Sequence, residues 1–140
     1  MENKTLKYYT IVLDGIDKSG KDTIAKFIWN LDKRLNVFVR GWPSLVVYAE
    51  KFNRNCSYEL PYKNAIYVRC DVDKIDWLIR CKMTNEQDIN YEYDSNLFNK
   101  AFYTLLNNNY YVLHFNTSKL TPYDIATQIV QFIKNLNKEN

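Results

Sequence analysis

The chain has 140 residues, 46% of them hydrophobic and 25% charged, a balance that excludes intrinsic disorder and suits one compact domain spanning residues 1–140. Lysine and arginine number 19 against 16 acidic residues, a formal charge of +3, too slight to point to nucleic acid or an anionic membrane. The longest apolar runs, such as 10–13 and 45–48, fall far below the roughly 20 residues of a membrane-spanning helix, and residues 1–5 lack the apolar region of a signal peptide. An intracellular, cytoplasmic protein is expected.

In chain order, Tyr8 to Leu13 is β-branched, aromatic and apolar without alternation, the signature of a strand buried on both faces of a parallel sheet. A loop with Gly15 and Gly20 follows, and then Ile24, Phe27, Ile28, Leu31 and Leu35 recur at helical spacing. Asn36 to Arg40 reads as a second short buried strand, ended by Gly41 and Pro43, before a helix over about 44–52. Residues 53–64 read as a polar loop and Ala65 to Val72 as a third strand, after which Asp73 is placed to cap a helix carrying Ile75, Leu78 and Ile79. Residues 83–93 read as an exposed segment. Leu97, Phe98, Ala101, Phe102, Leu105 and Leu106 mark another helix, Tyr110 to Phe115 a fourth strand, and Thr121-Pro122 the start of a final helix. Strands alternating with helices predict an α/β, three-layer fold with a short parallel sheet of about four strands.

Cys56, Cys70 and Cys81 are odd in number and widely spaced, which fits reduced thiols and not a metal site. The lone His114 sits inside the fourth strand and reads as structural; Trp29, Trp42 and Trp77 read as packing residues. Tyrosines with scattered lysines are spread along the whole chain and form no groove for a single strand, so nucleic acid is not expected as a partner.

The segment Gly15-Ile16-Asp17-Lys18-Ser19-Gly20-Lys21 matches G-x-x-x-x-G-K between a strand and a helix, the context a phosphate-binding loop requires. Such a loop curls its backbone N–H groups inward, the helix adds its positive end, and Lys21 supplies a point charge to the β- and γ-phosphates. The next position departs from pattern: Asp22 stands where a serine or threonine hydroxyl ordinarily holds Mg²⁺. Its carboxylate can hold the metal directly or through water, and it also repels phosphate. Thr23 either offers its hydroxyl to the α-phosphate or is a first-turn helix residue.

With Leu13-Asp14 before the loop and Asp17 within it, the sequence resembles the thymidylate kinase and deoxynucleoside (mono)phosphate kinase family of P-loop kinases, in a compact, phage-like form. A second similarity is Arg40-Gly41-Trp42-Pro43-Ser44-Leu45-Val46-Val47-Tyr48, with the Arg, Ser and Tyr spacing of the family's substrate motif, although Val39 stands where the family has an acid. A third is Tyr67 to Arg80, similar to the strand and helix that lead to the family's arginine-bearing lid, with Thr84 where a second arginine is often found.

The resemblance implies ATP and Mg²⁺ as cofactors and a nucleoside monophosphate or nucleoside as acceptor. It implies Asp14 as base or ligand of hydrated magnesium, against a turn-capping acid, and Asp17 as a contact to the sugar hydroxyl, against loop geometry. Arg40 would clamp the acceptor phosphate and Arg80 the transferring group, each against an ordinary solvated arginine. Ser44 and Tyr48 are equally explained as a helix cap and a packed aromatic, and Trp42 as packing or as a stack on a base. The first expectation is an ATP-dependent kinase of deoxynucleoside monophosphates, with thymidylate foremost; the alternative is a non-catalytic nucleotide-binding or interaction protein derived from one. Homodimerisation is a further expectation, since a shortened domain leaves apolar helix surface to cover.

Overall fold

The computed structural model describes residues 6–54, 59–83 and 90–138. Four strands, β1 (Thr10–Asp14), β2 (Asn36–Val39), β3 (Ala65–Asp71) and β4 (Tyr111–Asn116), alternate with α1 (Lys21–Leu31), α2 (Trp42–Lys51), α3 (Lys74–Met83), α4 (Tyr91–Asn107) and α5 (Pro122–Lys138). The sheet runs β2-β1-β3-β4 and every pair is parallel. β1 is therefore central, with Thr10 to Leu13 in register with Asn36 to Val39 on one side and Ala65 to Val68 on the other.

Because side chains alternate along a strand, the two central strands feed two cores. Ile11, Leu13, Ile66, Val68 and Cys70 pack with Ile24 and Ile28 of α1 and Ile125, Ile129 and Ile133 of α5. On the other face Val12, Ala65 and Tyr67 pack with Val47 of α2, Trp77 and Cys81 of α3, and Leu97, Phe98, Phe102 and Leu105 of α4. Each fully buried isoleucine stabilises the fold by about 1.5–3 kcal/mol before chain entropy is counted. This is the three-layer α/β arrangement expected from the strand and helix pattern.

Two local readings change, and a third gains a helical turn. β2 is an edge strand and not a buried one: Phe38 keeps 54% of its surface exposed, because among the described residues only β1 flanks it. Of the segment 83–93, residues 84–89 (with Thr84) lie outside the described residues. Asn90 accepts the Tyr93 N–H at 3.0 Å and caps α4, so residues 91–93 form its first turn, in which Glu92 and Tyr93 are exposed as expected. Trp29 is 55% exposed under the Lys33 ammonium, 3.5 Å from the ring centroid, whereas Trp77 is buried. Cys70 and Cys81 are both buried; Cys56 lies outside the described residues.

Candidate active site

β1 stops at Asp14, residues 15–20 form the loop, and α1 starts at Lys21. The turn depends on left-handed backbone at Gly15 (φ 131°), Lys18 (φ 63°) and Gly20 (φ 84°). At Gly15 a Cβ would lie 2.2 Å from the Cys70 carbonyl oxygen, so the loop lies directly on β3. Gly20 occupies the cap position of α1 without any side-chain cap, which leaves the helix's first N–H groups to an anion.

Three cations reach this loop from three elements. Lys21 Nζ donates to the carbonyls of Gly15 and Ile16, both at 2.9 Å, and to Ser19 Oγ at 3.3 Å. Arg40, between β2 and α2, donates from Nη2 to Asp17 Oδ1 at 2.8 Å. Arg80 of α3 donates from Nη1 to the Lys18 carbonyl at 2.5 Å. Every one of these acceptors lies within residues 15–19. Burial lowers the Lys21 pKa, partly opposed by Asp14 and Asp17 nearby. The three cations and the loop line a cavity of about 540 Å³ together with Asp22, Thr23, Met83, Thr117 and Pro122.

Asp14 is fully buried beneath the loop. Its Oδ1 accepts Gly15 N–H at 2.9 Å and the Ser44 hydroxyl; its Oδ2 accepts Gly41 N–H at 3.0 Å and Ser44 N–H at 2.8 Å. Gly41 is the N-cap residue of α2 and Ser44 lies in its first turn, so the carboxylate caps that helix from another strand.

Of the other acceptor-side candidates, Ser44 is buried against Asp14, and Trp42 Nε1 donates to the Glu59 carbonyl at 2.8 Å. Tyr48 stacks on Phe52, and burial, with Asp17 close by, pushes its phenol up to about 12. The cavity takes in Asp17 and Arg40 but not Trp42, Ser44 or Tyr48. Met83, Thr117 and Pro122 enter it unforeseen. Thr117 hangs on β3 through its N–H and hydroxyl, both on the Asp71 carbonyl, at 2.8 and 3.1 Å. The available signal was positional: loops at the carboxyl ends of parallel strands collect ligands.

Asp22 is exposed in the first turn of α1 and lines the cavity. Among the described residues no three His, Cys, Asp or Glu side chains converge as a metal cage. A magnesium ion bound through one carboxylate, phosphates and water needs no such cage, so Asp22 fits that group.

No known protein family is matched by the sequence, and no curated protein matches it significantly. Solved structures do match. The YorR protein of Bacillus subtilis, determined in complex with phosphorylated GDP, has a TM-score of 0.71 and 18% identity over 94% of this chain and 98% of its own. Thymidylate kinase from Candida albicans has a TM-score of 0.56 and 9% identity over 98% of this chain and 96% of its own. The four-stranded parallel sheet with helices on both faces is thus a fold shared with these two proteins, one of them a thymidylate kinase. No described helix is long and apolar enough to cross a membrane.

Proposed function

We propose that the protein is an ATP-dependent kinase that passes the γ-phosphoryl group to a deoxynucleoside monophosphate, with thymidylate the first candidate. The observation that carries this reading is the convergence of Lys21, Arg40 and Arg80 on one phosphate-type loop inside one cavity. Phosphoryl transfer needs chiefly positioning and charge stabilisation, which such a cavity supplies. The loop N–H groups and Lys21 hold the donor phosphates, Arg40 orients the acceptor phosphate, and Arg80 neutralises charge on the group in flight. A bond forms between an acceptor phosphate oxygen and the γ-phosphorus as the bridging oxygen to the β-phosphorus departs with its electron pair. Asp22 would hold magnesium, which when bound screens the phosphates.

Asp14 favours a monophosphate over a nucleoside acceptor. A nucleoside hydroxyl must lose a proton to become a nucleophile, and Asp14, with its oxygens engaged by four donors, is poorly placed to take it. A phosphate monoester is already largely ionised at neutral pH, its second pKa being about 6. Asp14 is thus read as a positioning residue. The presence of Asp22 beside the phosphates favours a second reading, a nucleotide-binding protein without transfer.

A coupled assay of deoxynucleoside monophosphates and nucleosides with ATP and Mg²⁺ separates the two. Transfer to monophosphates and not to nucleosides is expected. Arg40→Ala should raise the acceptor KM or lower kcat by about tenfold, ~1.4 kcal/mol, with ATP affinity unmoved. Lys21→Ala should abolish the ATP-induced rise in Tm. Transfer to no acceptor at all rejects the kinase.

A further inference from the structure

We propose that Asp17 sets the acceptor specificity of the cavity by standing in for the acceptor's phosphate on Arg40, and that only a dianion displaces it. The proposal rests on the kinase reading for the identity of the acceptor, but on the geometry of this chain for the contact.

Asp17 is held at the tip of the loop between two arginines. Arg40 grips its carboxylate at 2.8 Å, and Arg80 grips the carbonyl of the adjoining Lys18. Both Lys18 (φ 63°) and Arg40 (φ 73°) have left-handed backbone, which side-chain-bearing residues rarely adopt, and at Arg40 that bend joins the end of β2 to α2. The contact is exchangeable as well as specific. The Arg40 and Asp17 side chains remain 56% and 39% exposed, so their pair is solvated and contributes little to folding.

A ligand that takes Arg40 must replace a single carboxylate charge. A phosphate monoester dianion does so with twice the charge and with oxygens spaced for a bidentate contact. A neutral nucleoside brings no charge, and a simple carboxylate offers only an even exchange. Lys21, Asp22 and Tyr48 also lie near Arg40, but none of them has to move for the exchange. Asp17 therefore acts as a threshold: weak anions and neutral sugars do not cross it.

Titration of the full chain with inorganic phosphate at about pH 8, where phosphate is a dianion, tests this without ATP or transfer. The unchanged protein is compared with Asp17→Asn, Arg40→Ala and the double variant. Removing the Asp17 charge should tighten phosphate binding about two- to fivefold while Arg40 is present, and have no effect once Arg40→Ala accompanies it. Because the Arg40 backbone is left-handed, Arg40→Gly serves the same purpose if Arg40→Ala fails to fold. No gain from Asp17→Asn overturns the proposal. So does an equal gain with and without Arg40, which would mean only that a negative charge near the loop had gone, and so does acetate binding as tightly as phosphate. A failed transfer assay beside an intact Asp17–Arg40 coupling counts against the kinase and not against the displacement.

Discussion

Asp14 accepts both the N–H of Ser44, at 2.8 Å, and its hydroxyl, across a sequence separation of 30 residues. This contact ties the end of β1 to the first turn of α2 and so fixes Arg40 relative to the glycine loop. Ser44→Ala removes one donor from a buried carboxylate that keeps three backbone N–H groups, and should lower stability by about 1–2 kcal/mol. Asp14→Asn turns an amide N–H toward other donors and should cost on the order of 3 kcal/mol. Calorimetry measures both. Activity per folded molecule should survive Asp14→Asn with its pH profile unchanged, whereas a general base would leave its mark there.

The two loop glycines should respond unequally. Gly15→Ala meets the Cys70 carbonyl at 2.2 Å and an unfavourable φ, so β1 and β3 must part. A loss of at least about 3 kcal/mol, or failure to fold, is expected. At Gly20 the nearest atom to a Cβ is a Thr117 methyl at 3.7 Å, ordinary contact, so the alanine pays only for left-handed backbone, about 1–2 kcal/mol. Urea unfolding of the two variants tests the ranking.

Asp22→Asn separates the metal from the repulsion. If the carboxylate holds magnesium, the variant should bind Mg·ATP about tenfold more weakly relative to metal-free ATP. Tighter binding of both forms would identify Asp22 as a repulsive charge alone. Titration calorimetry with and without Mg²⁺ distinguishes the outcomes.

Stability should fall in alkali. Burial pushes the Cys70 thiol from 9.0 up to about 12, and the Tyr48 and Tyr67 phenols from 10.0 up to about 12. Between those limits the folded protein keeps protons that the unfolded chain has lost, so the stabilisation present below pH 9 declines toward 12. Lys21 runs the other way: its lowered pKa makes stability rise as the pH approaches 10.5. The Tyr91 phenol is raised by burial as well, so four groups stand against one once the phenols begin to titrate, and Tm should drop above about pH 10. Cys70→Ala should remove the earliest part of the decline.

What could be read from the sequence was local. The four strands are short apolar blocks, and the glycine loop is one contiguous heptapeptide between strand and helix, so neither depends on the rest of the chain. The apolar content of Asn36 to Val39 does not reveal that β2 is an edge, because only the order of strands decides that. Likewise the acid of Asp14 looks chemical until its donors are known, and Gly41 and Ser44 become donors only through the β2–α2 turn. Trp42 and Ser44 have donor groups suited to a ligand, and both give them to other parts of the protein. Thr117 and Pro122 join the cavity because β4 ends beside β3, a juxtaposition no motif records.

The central position of β1 bears on the order of events during synthesis. Thr10 to Leu13 can pair with Asn36 to Val39 soon after both emerge, but the other side of β1 waits for Ala65 to Val68. At roughly 5–20 residues per second, that interval lasts a few seconds on the ribosome. During it the edge of Ile11 and Leu13 later covered by β3 lies open to wrong partners. The nascent chain is most exposed to mispairing in that interval, and a ribosome stall between residues 40 and 65 would prolong it.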